Sequence, residues 1–197
     1  MKLIFISGPS GSGKTTLSNQ IKAKIKNSII LSTDNYYKTG LLSQLLSNLV
    51  EGYFDKPISF NYKLFTKDFN FILKNKISIN ERSYNFEKRR IKKFSNKKYN
   101  INFLIIEGIF AKEFSRTLNN KSYFFLELKI NKNECLKRVV QRDSKERGKV
   151  KKKAESDFLK SWDIYYQKFK TNKIKNNTNE YIITKKTNID NLLKKLY

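Results

Sequence analysis

The sequence contains no histidine, one cysteine and two prolines among its 197 residues. Without histidine, imidazole acid–base chemistry and histidine-ligated zinc are excluded. The lone cysteine, Cys135, forms no disulfide within the chain, and nothing near it suggests a metal site. No stretch approaches the ~20 consecutive apolar residues of a membrane-spanning helix. Acidic residues are scarce: 17 Asp and Glu stand against 42 Lys and Arg, a formal net charge of +25. Such an excess raises a nucleic-acid reading, because basic surface has sequence-independent affinity for phosphates. The lysines are nevertheless spread through every segment in company with Asn and Ile, as an AT-rich coding sequence would produce. No dedicated nucleic-acid partner is expected.

What is present suffices for a packed domain. Hydrophobic residues make up 39% of the chain, with 15 Phe and 11 Tyr, so the chain is not a disordered polymer. The N-terminus opens directly on an apolar run, so the expectation is a soluble cytoplasmic protein with no signal peptide and no membrane association.

That first run, Lys2–Ser7 (KLIFIS), reads as a strand, and Gly8 to Thr15 (GPSGSGKT) follow it as a complete Gly-x4-Gly-Lys-Thr phosphate-binding loop. Apolar side chains at Leu17, Ile21 and Ile25 then mark one face of a helix. Strand, glycine-rich turn and helix together are the context in which this motif has its mechanism. The backbone N–H groups of Gly8, Pro9, Ser10, Gly11, Ser12, Gly13, Lys14, Thr15 and Thr16 (proline excepted) curl toward phosphate oxygens, helped by the helix N-terminus. Lys14 reaches the β- and γ-phosphates and Thr15 coordinates Mg²⁺. A bound nucleoside triphosphate, with ATP and Mg²⁺ as cofactors, is therefore expected.

Strand-like and helical stretches alternate along the rest of the chain, which predicts an α/β fold with a mostly parallel five-stranded sheet. The remaining expected strands are Ser28–Ser32, Asn102–Glu107, Tyr123–Lys129 and Glu180–Thr184. Expected helices are Lys14–Lys26, Leu41–Glu51, Tyr62–Lys74, Lys132–Lys145, Glu155–Lys170 and Ile189–Leu196. Ile77–Asn85 and Arg90–Phe94 read as a small β excursion on the substrate side. Gly148–Lys153 and Thr171–Asn179 are polar and expected to be exposed. In Phe158–Phe169 the apolar residues recur at helical spacing, which favours packing over a base-stacking platform.

Three carboxylates stand where open α/β sheets place ligands, beyond the carboxyl ends of strands. Glu107 closes an apolar run, a costly position unless it lines a site, and is the candidate Mg²⁺ holder. Asp34, in STDNYY, is either a base for an acceptor hydroxyl or a helix cap. Asp55, in YFDKP, is on its own as readily a turn residue as a ligand contact.

The loop together with STDNYY, YFDKPISF, SYNFEKRR, LIIEGIF and QRDSKERGK resembles, in order and spacing, the uridine kinases among the P-loop nucleoside and nucleotide kinases. The resemblance spans roughly Leu3 to Lys149. It implies a three-layer P-loop NTPase fold in a single domain over residues 1–197, with a helical lid over residues 142–153. The implied activity is ATP-dependent phosphorylation of the 5′-hydroxyl of a pyrimidine ribonucleoside. Asp34 then acts on that hydroxyl, and Asp55, with Phe54 beside it, binds the ribose hydroxyls. Tyr84, Phe86 and Ile109 lie around the base, Tyr37 is a further substrate-binding residue, and Glu107 is the metal-associated carboxylate. Arg142 and Arg147 are lid arginines that close on the phosphates with Lys14. The family's base-recognising histidine falls at Arg89, its final lid arginine at Lys149, and a further arginine at Val139, with Arg138 adjacent and expected to bind the acceptor substrate. A family glutamine falls near Asp157. The resemblance leaves a homo-oligomer open to this chain.

Two other readings are carried. The same scaffold serves other hydroxyl acceptors, as in phosphoribulokinase, nicotinamide riboside kinase and pantothenate kinase, and Lys88, Arg89 and Arg90 would suit an anionic one. A basic ATP-switch protein that binds nucleic acid is the reading from a different class; retention of both Asp34 and Glu107 argues against it.

Overall fold

A computed structural model of the chain describes residues 1–50, 52–86, 88–115, 118, 122–169 and 178–196. Its centre is a five-stranded, wholly parallel sheet in the order β2-β5-β1-β6-β7. The strands are β1 (Lys2–Ser7), β2 (Ser28–Ser32), β5 (Phe103–Glu107), β6 (Tyr123–Leu128) and β7 (Thr178–Ile183). Strands β3 (Ser78–Asn85) and β4 (Arg90–Lys98) pair antiparallel as a separate hairpin.

The central strands are apolar on both faces because helices cover both sides, as in parallel sheets generally. In β1, Leu3 and Phe5 enter one core with Phe65, Phe69 and Ile72 of α3 (Tyr62–Asn75) and Phe114 of α4 (Ala111–Ser115). Ile4 and Ile6 enter the other, with Leu17 and Ile21 of α1 (Lys14–Lys24) and Leu192 and Leu193 of α7 (Ile189–Leu196). A third cluster joins Cys135 and Val139 of α5 (Lys132–Glu146) to Phe158 of α6 (Lys151–Phe169). The aromatic stripe on α6 accordingly packs, with Phe158 and Tyr165 buried.

The chain moves outward from β1 through α1 to β2, returns through β5, and then continues to β6 on the other side of β1. β1 is thus the switch point, and ligand crevices open beyond the carboxyl ends of strands there. The phosphate-binding loop leaves β1 at that place. Among the described residues, no helix is long and apolar enough to cross a membrane.

Several boundaries differ from expectation. α6 begins at Lys151, so half of the expected exposed stretch Gly148–Lys153 is helix; lysine is a good helix former and is exposed on the first turn. β4 continues to Lys98 because it pairs with β3 along its length. The final strand begins at Thr178, where it aligns with Tyr123; residues 171–177 of the expected connection lie outside the described residues. α2 (Leu41–Leu49) starts where expected and ends short of the expected bound, with an extended Val50 as its C-cap.

Candidate active site

A cleft of about 830 Å³ opens at the carboxyl ends of the sheet. Ser10, Gly11, Gly13, Lys14, Thr15 and Thr16 line one end of it. Gly11 sits at φ 76°, and a Cβ there would lie 2.5 Å from the Cys135 carbonyl oxygen. The loop can therefore press against α5 only with glycine at this position. Lys14 is buried and donates to the Pro9 carbonyl at 3.0 Å. Burial pushes its ammonium below the usual lysine range, while Asp34 and Glu107 pull the other way. The Ser12 hydroxyl is buried without a hydrogen-bond partner.

Glu107 is 3% exposed at the end of β5. Burial, and then Asp34, raise its carboxyl above the ordinary value, against side-chain hydrogen bonds from Ser32 and Thr15 and the charge of Lys14. Asp34 reaches the same place from the 3₁₀ turn Thr33–Tyr36 after β2. Gly108, at φ 134°, lets the two strand ends meet: a Cβ there would lie 1.8 Å from the Thr33 hydroxyl oxygen. Asp34 caps no helix, since its turn starts on Ser32 and α2 starts after Gly40. Its Oδ1 is buried without a partner, an orphaned acceptor in the cleft wall.

The opposite wall is aromatic. The Tyr37 ring lies 5.2 Å from Phe54, 5.2 Å from Tyr84 and 5.5 Å from Phe86, measured between centroids. Tyr37, Phe54, Phe86 and Ile109 line the cleft. Tyr84 does not; it packs behind Tyr37 and Phe86, where burial pushes its phenol up to about 12. The expected base contact at Tyr84 is thus a packing contact, because its buried side chain joins the core cluster and packs on Tyr37, Phe54 and Phe86. Asp55 lies in the 3₁₀ turn Tyr53–Asp55 and accepts from the Ser161 hydroxyl of α6 at 2.7 Å. Burial raises its carboxyl, and Ser161 opposes that shift.

The end of α5 closes the third side. Asp143, 3% exposed, accepts from Arg142 Nε at 2.9 Å and Nη2 at 2.7 Å. Arg147 lies 3.5 Å and Lys149 3.4 Å from the same carboxylate. Lys149 also pairs with Asp157 at 2.8 Å. Arg138, expected on the acceptor side, instead donates to the Gly11 carbonyl at 3.3 Å and pairs with Glu134 at 3.0 Å. One turn of helix places it over the phosphate loop, while Val139 turns into the core. Arg89 lines the cleft, held by hydrogen bonds to Ser47 and Asn48 of α2.

Residues 3–176 match the family described as Phosphoribulokinase / Uridine kinase family. The chain belongs to that family. It is 31% identical over 176 residues to a uridine kinase of Borrelia duttonii, covering 86% of this chain and 80% of the relative. To a uridine kinase of Ureaplasma parvum it is 33% identical over 152 residues, 75% of this chain and 71% of the relative. Among solved structures, D-glycerate 3-kinase from Cryptococcus neoformans superposes with TM-score 0.60 at 12% identity, over 93% of this chain and 86% of that one. A possible uridine kinase from Bacillus stearothermophilus superposes with TM-score 0.57 at 17% identity, over 90% and 87%. These two show the P-loop kinase fold. Membership of the phosphoribulokinase / uridine kinase family makes the protein a phosphotransferase.

Asp143 and Ser161 escaped the sequence reading of this family member. Asp143 had a signal, an acid between Arg142 and Arg147 with the latter at i+4. Ser161 had none, since nothing local ties it to a turn 106 residues away. Among the described residues no group of three or more His, Cys, Asp or Glu can hold a metal by itself. A Mg²⁺ here would use Thr15 and Glu107 with substrate phosphate oxygens, which is the usual manner of that ion.

Proposed function

We propose that this phosphotransferase moves the γ-phosphoryl group of ATP to the 5′-hydroxyl of a pyrimidine ribonucleoside, uridine or cytidine. The observation that carries this reading is the pair of carboxylates, Asp34 and Asp55, on one aromatic-walled cleft with Lys14 at its end. A phosphate-binding loop alone would serve a switch. A buried, unpartnered carboxylate oxygen beside it serves an incoming hydroxyl.

The residues fit the triphosphate and its metal. The loop curls tightly enough that Gly11 tolerates no side chain, and Ser12 and Asp34 keep polar atoms without protein partners. Bound Mg²⁺ would neutralise charge on the β- and γ-phosphate oxygens. Asp34 accepts the proton of the 5′-hydroxyl as its oxygen attacks the γ-phosphorus, and ADP leaves. Lys14, Arg142 and Arg147 stabilise charge on the transferring group. Residues 142–153 form the lid, with Asp143 holding its three cations in register. Asp55, oriented by Ser161, accepts from the 2′- and 3′-hydroxyls, so a deoxyribose leaves a buried acceptor unpaired. The hairpin of residues 77–94 supplies Phe86 to the base end.

The test is ADP release with Mg·ATP over uridine, cytidine, their 2′-deoxy forms, nicotinamide riboside and ribulose 5-phosphate. The expected outcome is turnover of a ribonucleoside, lost on Asp34→Asn by on the order of 10²- to 10⁴-fold. Preference for ribulose 5-phosphate would replace this reading by one with an anionic acceptor, which Arg89 and its basic neighbours would suit.

A further inference from the structure

Arg89 sits in the turn of the β3–β4 hairpin with φ 48°, a left-handed backbone that a non-glycine residue adopts at a cost. Its guanidinium is held firmly from one side. Nη1 donates to the Ser47 hydroxyl at 2.6 Å and to Asn48 Oδ1 at 3.3 Å, and Nη2 also reaches Asn48 Oδ1 at 3.3 Å. Nη1 lies 3.4 Å from the Gln44 carbonyl as well. The Ser47 hydroxyl donates to that same carbonyl at 2.8 Å, which leaves its lone pairs facing Arg89.

A guanidinium has five N–H donors in a rigid plane. The α2 partners engage Nη1 and the near side of Nη2. The parallel pair on the other edge, Nε–H with the second Nη2–H, has no partner among the described residues. Elsewhere in the protein that same edge is in use: Arg82 grips Asp68 through Nε at 2.7 Å and Nη2 at 3.3 Å, and Arg142 grips Asp143. Arg142, Arg147, Arg138 and Arg82 all have carboxylate partners. Among the described residues Arg89 has neutral ones only, which leaves its charge and one donor fork to the cleft that Phe54 and Phe86 also line.

We propose that this fork of Arg89 binds two adjacent hydrogen-bond acceptors on the acceptor substrate, and that in a pyrimidine ribonucleoside these are N3 and O2 of cytosine. The proposal rests on the kinase reading given above. Cytosine carries those two acceptors side by side, the arrangement that bidentate arginine recognition requires. Uracil carries N3–H between its two carbonyls, so one donor of the fork would face another donor. The chain thus favours cytidine. A carboxylate or phosphate on a different acceptor would offer the same paired oxygens, and the assay must separate that source from the base.

The experiment measures kcat/KM of the full chain with Mg·ATP for cytidine, uridine and ribulose 5-phosphate, in the wild type and in Arg89→Lys. Lysine keeps the charge and loses the fork. The wild type is expected to favour cytidine over uridine by about tenfold or more, the scale of one bidentate base contact. Arg89→Lys should bring the ratio near one, through KM and not kcat. Equal turnover of the two nucleosides, or preference for uridine, overturns the inference while leaving the nucleoside kinase reading intact. A cytidine preference that survives Arg89→Lys overturns it too. If ribulose 5-phosphate wins, the pyrimidine reading falls; the fork stands when Arg89→Lys abolishes that preference and falls when it does not. The wild-type ratio decides between the nucleosides even if the variant folds poorly.

Discussion

The guanidinium carbon of Arg147 lies 4.0 Å from the centroid of the Phe86 ring. Arg147 caps the end of α5 and Phe86 follows the last residue of β3, so this one contact joins the cationic end of α5 to the aromatic wall of the cleft. Burial and the charge of Arg142 lower the Arg147 pKa, and Asp143 and Asp34 oppose them. The aromatic face supplies part of the compensation for a cation taken out of water.

Phe86→Ala should therefore impair both halves of the reaction. A cation–π contact of this kind contributes roughly 0.5–2 kcal/mol. Steady-state assays should show a several-fold rise in KM for the acceptor together with a fall in kcat. Phe94→Ala, on the exposed side of the hairpin, should leave both unchanged; a rise in acceptor KM alone for Phe86→Ala would mean that the ring does not act on the lid.

Asp143 is buried beneath three cations, and Asp143→Asn leaves Arg142, Arg147 and Lys149 facing one another. Breaking a buried charge pair costs about 3–5 kcal/mol. Thermal unfolding should show a clear loss of Tm, reduced at high ionic strength, where repulsion among the half-exposed cations is screened. An unchanged Tm at low salt would refute the structural role of this carboxylate.

Glu107→Gln should separate stability from activity. The folded-state pKa of Glu107 is raised above 4.5 by burial and Asp34. For an acid shifted upward, the native state holds the proton more tightly. Its contribution is most favourable below the unfolded value and is lost as pH rises through the folded value. Gln removes that loss, so the Tm of the variant relative to wild type should grow with pH above 4.5 and then level off. Activity should fall by on the order of 10²-fold or more, as one metal-side carboxylate is removed.

Asp55 is also shifted upward from 3.8, with burial as the largest cause. As pH falls through that raised value the carboxyl protonates and ceases to be a double acceptor, so KM for the acceptor should rise on acidification. Asp55→Asn should remove this limb of the pH profile and narrow discrimination against 2′-deoxynucleosides. Ser161→Ala should move the limb to higher pH, because the Ser161 hydrogen bond favours the ionised form.

Gly108→Ala tests how the two carboxylates are brought together. Its Cβ would meet the Thr33 hydroxyl at 1.8 Å with φ at 134°, so the strand ends must separate. Overpacking of this sort costs about 1–3 kcal/mol, and a backbone strained for L residues adds to it. The expected result is a lowered Tm and activity reduced more than that of a surface control.

Much of this site could be read along the chain because its parts are local. A glycine loop between an apolar strand and a helix is contiguous, and Asp34 and Glu107 each end a recognisable strand. Parallel pairing then brings strand ends together, since Ser32 and Glu107 are register partners. Tyr84, Arg138 and Arg89 show the limit. Whether an aromatic residue touches ligand or packs behind one that does depends on which way the hairpin faces. A one-residue step around α5 moved the arginine from acceptor to phosphate loop, with Val139 taking the core position.

The sequence by itself determined the phosphate-binding loop, the order of strands and helices, and the two strand-end carboxylates, because periodicity and turn chemistry act over a few residues. Only the tertiary structure decided that Asp143 gathers three cations, that Ser161 holds Asp55 across 106 residues, and that Arg89 is tied to α2 with one donor edge unpartnered among the described residues. The Ser161–Asp55 and Arg89–Ser47 contacts join elements distant in the chain, whereas Asp143 meets cations on its own segment and only burial makes it their common partner. Their geometry follows from how α5, α6 and the hairpin pack around the sheet, and no local pattern of residues encodes that packing.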